Sequence, residues 1–112
     1  MSSVVTSRLA LLEVPIDFVA TGDNTLVAGV AGASVRAYHL FLVVSAATTL
    51  TFKRGGTSLS GPMAMTANGS VVLDFVGQPW LTTADGEALV LSQSGTAQVS
   101  GQLGYTQILT SA

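Results

Sequence analysis

Apolar and polar residues alternate with a period of two along most of this chain, and no segment carries the spacing of an amphipathic helix. The longest run is Val35 to Val44. Its even positions hold Arg36, Tyr38, Leu40, Leu42 and Val44, and its odd positions Val35, Ala37, His39, Phe41 and Val43. Side chains alternate faces along a strand, so both faces become apolar in the second half of this run. A strand with one buried face would instead alternate apolar with polar. One face is therefore expected on the domain's own core, and the other under a neighbouring sheet, a loop or another subunit. Ser45-Ala46-Ala47 predicts a turn. Beyond it Leu50 and Phe52 point one way and Thr49, Thr51 and Lys53 the other, a half-wet strand compatible with a sheet edge and ended by Gly55-Gly56.

The flanking segments follow the same logic. Residues 2–8 suit an extended arm. Leu9 to Val14 is apolar, and Pro15 confines that strand to an edge or stops it. Ile16 and Phe18 share a face, Thr21-Gly22-Asp23-Asn24 predicts a turn, and Thr25 to Val30 a short strand. Leu59, Met63 and Met65 share parity across Gly61-Pro62, which marks a bulge or a change of sheet. Asn68-Gly69 predicts a type I′ hairpin, and accounts for Asn68-Gly69-Ser70 better than glycosylation does. Val71, Leu73 and Phe75 then share a face, Gly77-Gln78-Pro79-Trp80 is a loop, and Asp85-Gly86 a second tight turn. At the end Ala97, Val99, Gly101, Leu103 and Tyr105 point inward, with Thr96, Gln98, Ser100, Gln102 and Thr106 outward. The whole predicts an all-β fold, an antiparallel β-sandwich of jelly-roll type with eight to ten short strands. Residues 1–8 form the N-terminal arm and residues 9–112 a single sandwich domain.

Charge changes the picture more than length does. Lys and Arg number 4 and Asp and Glu 6, so only 9% of the residues are charged, against about 25% in an ordinary soluble domain. No formal charge occurs from Gly55 to Leu73, or from Ala88 to Ala112. Interspersed charge normally keeps a free domain apart from its copies. A surface of hydroxyls, amides and glycine suits a chain packed against copies of itself or a larger partner. Four basic residues do not make a nucleic-acid footprint. The first residues lack the basic start of a signal peptide, and no apolar stretch reaches 18 residues, so neither a leader nor a transmembrane helix is expected. The strands are too short and too few for a membrane barrel.

Candidate chemistry is sparse. With no Cys and one His there is no thiolate nucleophile and no zinc set, and no cofactor or metal is expected. His39, inside an apolar strand, is expected as a hydrogen-bonded core or interface residue rather than part of a Ser-His-Asp relay. Asp85-Gly86-Glu87 offers hard oxygens for calcium with Asp23 or Asp74, but Asp-Gly also serves turn geometry alone. Gly29 to Ser34 lacks the lysine and helix of a phosphate loop. Lys53-Arg54 suits either an acidic partner surface or a solvated turn. Trp80 suits either a sugar ring or a plug at one end of the sandwich.

Over Val35 to Tyr105 the chain resembles a group of small bacteriophage virion proteins. The matching pieces are Thr51-Phe52-Lys53, Gly56 to Met63, Ala67-Asn68-Gly69, Pro79-Trp80, Thr83 to Leu89 and Val99-Ser100-Gly101. The resemblance implies a structural protein of a tailed phage, made in the host cytoplasm and then part of the particle, with the head or the tail left open; no enzyme is expected, because no nucleophile, base and oxyanion donor assemble in the sequence. On the head it implies a capsid decoration or cement protein, a homo-oligomer of three copies bound to the major capsid protein, with no nucleic-acid or membrane partner. The alternative is a tail-fibre module for a receptor or carbohydrate. The expected contacts are Val4, Val5 and Arg8 in the arm and Leu9 just after it, Arg36, Tyr38, Leu40 and Leu42 on the long strand, Lys53, Arg54 and Trp80.

Overall fold

The computed structural model describes residues 12–74, 79 and 81–109. The N-terminal arm, Phe75 and the Trp80 position lie outside them. Ten strands are described: β1 (Leu12–Phe18), β2 (Gly22–Val27), β3 (Ala33–Val44), β4 (Thr48–Arg54), β5 (Thr57–Ser58), β6 (Met63–Met65), β7 (Ser70–Asp74), β8 (Leu81–Thr82), β9 (Leu89–Gln93) and β10 (Val99–Leu109). One sheet runs β1-β10-β3-β7, with β8 also on β3, and the other β2-β9-β4-β5, with β6 also on β4. Every pairing is antiparallel. The first strand pairs with the last, β2 with β9, β3 with β7, and β4 with β5 and β6. That is a long hairpin folded over on itself, the jelly-roll form of the β-sandwich.

The core fills the space between the two sheets. One sheet contributes Ile16, Val35, Ala37, Leu40, Leu42, Val44, Val99 and Leu103, and the other Leu50, Phe52, Leu89 and Leu91, all buried. Both faces of β3 are apolar, but only one is core. Leu42 is 0% exposed while Phe41 beside it is 48% exposed. The phase is set by a bulge. Gly104 pairs with His39 and Tyr105 with Ala37, which leaves Tyr38 as an extra residue on β3. Inward positions are therefore 33, 35 and 37 before the bulge and 40, 42 and 44 after it, because one inserted residue shifts the two-residue period. A side chain at Gly104 would collide with the His39 imidazole, so the ring occupies the space that glycine leaves.

Several expectations change. β4 is no edge, since β9 flanks it on one side and β5 and β6 on the other. The Gly61-Pro62 break does not send the chain to another sheet, because β5 and β6 both pair β4 as one interrupted edge strand. Asn68-Gly69 is not a hairpin. It joins β6 to β7 in the opposite sheet, and only Asn68 has a positive φ, 66°. The Gly69 amide donates to the Thr66 carbonyl at 2.9 Å, so Asn68 holds the third position of a turn, where a type II turn needs φ > 0. The cluster at Thr21 to Asn24 yields to strand from Gly22, where Asp23 and Asn24 pair with Ser92 and Leu91. Thr106 is buried rather than outward to water. It lies opposite Arg36 next to the buried Ser34 position, and its hydroxyl has no hydrogen-bond partner.

Buried polar groups close the ends of the sandwich. The Gln93 amide nitrogen donates to the carbonyls of Ala20 (3.1 Å) and Ala97 (3.0 Å), and its oxygen accepts from the Thr48 hydroxyl (3.0 Å). Gly95 N–H donates to that same hydroxyl. With both amide protons used, Gln93 ties the β1–β2 link, β4 and the β9–β10 link together without an unpaired donor. At another point Thr83 completes the ladder of β3, its hydroxyl accepting from Val35 N–H (2.9 Å) and its own N–H donating to the Val35 carbonyl (2.9 Å).

Leu42→Lys would place an unpaired ammonium in this core, at a cost above about 4 kcal/mol, and is expected to abolish the cooperative unfolding transition. Val43→Lys, one residue on, is expected to keep the melting temperature within about 3 °C of the parent. A folded Leu42→Lys protein would contradict this orientation of β3. A Cβ at Gly101 would collide with the Phe41 carbonyl and stand 2.7 Å from Leu42 Cα. Gly101→Ala is therefore expected to lower stability by about 1–3 kcal/mol in urea unfolding, and an unchanged midpoint would refute the close strand contact.

Candidate interaction surface

The outward side of the sheet β1-β10-β3-β7 forms a grid that the strand register defines. One row holds Glu13, Gly104, His39 and Asp74. The next holds Pro15, Gln102, Phe41 and Val72, and the third Asp17, Ser100, Val43 and Ser70. Phe41 and Val43 are about half exposed, and Val72 is 71% exposed. Pro15 adds to the same apolar middle and is exposed as well. A shallow groove of about 310 Å³ runs between β3 and β7, lined by His39, Leu40, Phe41, Val72, Leu73 and Asp74. Three carboxylates stand around the apolar centre. Asp17 accepts a hydrogen bond from the Gln98 amide (2.7 Å) and Glu13 one from the Gln102 amide (3.5 Å), but neither meets a cation among the described residues.

Two of the basic residues are spent on the other sheet. Lys53 Nζ lies 3.0 and 3.1 Å from the two carboxylate oxygens of Asp23, and Arg54 lies 3.6 Å from Glu87. Both pairs belong to the opposite sheet and its loops. The Lys53 ammonium holds the Asp23 carboxyl below the ordinary value of 3.8, and the Ser92 hydroxyl adds to this while desolvation works against it. Glu87 also accepts from the Ala84 N–H, closing the turn at Asp85-Gly86, where Gly86 has φ 78°. A side chain at Gly29 would collide with the Gly86 carbonyl, so Gly29 serves close packing against this turn, while Gly32 takes a positive φ of 82°.

The residues expected to make contacts fall into three groups. Val4, Val5, Arg8, Leu9 and Trp80 lie outside the described residues. Leu40 and Leu42 are core, 1% and 0% exposed, and the apolar surface of their strand is Phe41 and Val43 instead. Lys53 and Arg54 are partnered within the chain. Arg36 and Tyr38 are half-buried at and beyond the bulge. Phe41, Val43 and Val72 are the surface residues that this reading missed. Their signal is the apolar second face of the long strand, whose parity is set by the bulge at Tyr38. His39 stands opposite Asp74, but among the described residues no hydroxyl hydrogen-bonds to it. Among the described residues, too, no three His, Asp or Glu side chains gather as metal ligands.

No family model matches the chain, and no curated protein matches it. Among solved structures it is similar to a chain from Bacillus endospore appendages, described as a novel family of disulfide-linked pili, with a TM-score of 0.41 and 16% identity over 99% of this chain and 98% of that one. A likeness so distant carries no argument about function.

Because the folded-state value of Asp23 is depressed, its pair with Lys53 contributes stability above the unfolded value of 3.8 and loses it as pH falls through the lower folded value. Titration of Asp23 by NMR is expected to give a value below 3.8, and Lys53→Met to move it upward. An unchanged titration in that variant would show that the ammonium is not the cause.

Proposed function

We propose that the chain is a structural protein of a bacteriophage particle, a decoration or cement protein that binds the head surface and joins neighbouring major capsid subunits. The observation that carries this reading is the exposed apolar strip of Phe41, Val43 and Val72 in the middle of an open sheet face, on a chain with only 9% charged residues. Contiguous apolar surface with little charge around it favours contact with other protein. The sequence resemblance over Val35 to Tyr105 supplies the kind of assembly. The jelly roll is in keeping with it, since viral capsid domains use this architecture, although a fold alone does not fix a function.

The mechanism is adhesive. Three copies at each junction of capsid subunits would each make a small, weak contact, and repetition by symmetry would convert these into a firm hold. The subunits so bridged resist outward pressure from packaged nucleic acid without any chemical step.

Counting copies by quantitative mass spectrometry of purified particles tests this. Hundreds of copies per particle are expected for a head protein. About six would move the protein to the tail, as befits a receptor-binding module, and absence from the particle would overturn the reading.

A further inference from the structure

The face built by Glu13, Pro15, Asp17, Phe41, Val72 and Asp74 has a charge pattern that selects its occupant. Four acids lack a basic partner among the described residues, Glu13, Asp17, Asp74 and Asp85, and three of them stand on this one face. Lys53 and Arg54 lie on the other sheet, each beside its own acid. Arg36 is on the outward side of the same strand but past the bulge, half-buried and in register with Thr106 and Thr82, outside the three rows of the grid. The surface is thus apolar in the middle and acidic at three corners of the grid, with Ser70 at the fourth.

We infer that this face docks on a protein surface of complementary pattern, aliphatic or aromatic side chains at the centre with Lys or Arg spaced around them. A second copy of this chain does not suit it. Two such faces brought together would set three carboxylates against three, with Arg36 beyond the grid as the one described cation on this side of the sheet, and like charges in that excess across an interface oppose association. The grid spans four strands and three rows, about 15 Å by 14 Å. That is roughly 200 Å², well short of the ~800 Å² per partner of a stable pairwise interface. One such contact is weak, so the face works by repetition over an ordered array. The inference rests on the adhesive reading above for its setting, and adds the face and the chemistry of its partner.

Defined matrices serve as the probe. The purified protein would be applied at low salt to agarose bearing hexylamine, which joins an apolar chain to an ammonium, and to hexyl and aminoethyl agarose, which carry one feature each. Retention on hexylamine is expected to exceed that on either of the others by about threefold or more. Phe41→Ser/Val72→Ser is expected to lower it about tenfold. Asp17→Asn/Asp74→Asn is expected to lower it about threefold, a difference that disappears at high salt. Two controls sit off the face. Asp85→Asn removes an unpaired acid, and Val30→Ser a side chain that is 49% exposed. Both are expected to behave as the parent, with circular dichroism confirming the fold of every variant.

The inference is overturned if Asp85→Asn weakens retention as much as Asp17→Asn/Asp74→Asn, since bulk charge then explains binding. It is also overturned if Phe41→Ser/Val72→Ser changes nothing, or if that variant alters the sedimenting mass, which would make the face a contact between copies. Loss of the bead result with the protein still abundant on particles removes this face alone. A positive bead result with no protein on particles removes the virion reading alone.

Discussion

The pairing of β3 with β10 is the constraint on which the molecule depends. β3 is the longest strand, flanked by β10 on one side and by β7 and β8 on the other. It supplies Leu40, Leu42 and Val44 to the core and Phe41 and Val43 to the open face. The extra residue at Tyr38 decides which set goes where. If β3 slid by one position, the core residues and the surface residues would exchange places. Gly104 and Gly101 on β10 hold that register from the other strand, Gly104 by leaving room for the His39 ring and Gly101 by letting the backbones approach.

The distribution of charge follows from that arrangement. With few ionised side chains available, two acids are used to neutralise Lys53 and Arg54 on one sheet, and most of the remaining acids fall on the open face of the other. The result is a two-sided molecule. One sheet carries short ion pairs that belong to itself, and the other presents apolar surface with uncompensated carboxylates. An isolated domain gains nothing from such a face, because the exposed Val72 and Phe41 would be better placed in a core. The proposed partner would cover the apolar residues and meet the carboxylates at once.

Much of the architecture was legible in the period-two pattern. The alternation of Leu50 and Phe52 against Thr49, Thr51 and Lys53, and of Val99 and Leu103 against Ser100 and Gln102, reads directly as strand with one face inward. Pro15 on an edge strand and Gly86 at a turn also follow from local chemistry. What was not legible depends on partners far along the chain. Leu40 and Phe41 are equally apolar, and only the β10 register, with the bulge at Tyr38, says which is buried. Asn68-Gly69 suits a tight turn in either setting, and whether the next strand returns beside β6 or crosses to the other sheet is decided by β3. Lys53 and Arg54 looked like surface charges because Asp23 and Glu87 are thirty or more residues away in sequence. Gln93 looked like one more polar strand residue, and its role appears only where two links and the start of β4 converge on it.

Because the chain has no cysteine, a single thiol introduced at Val72 reports on the open face without background. Maleimide labelling of Val72→Cys would be compared between the free protein and the protein in its native assembly, with Ser58→Cys on the opposite sheet as reference. The account predicts fast labelling of both thiols in the free protein, and protection of the Val72 position alone once assembled. Equal labelling of that position in both states would contradict the claim that this face is where the protein meets its partner.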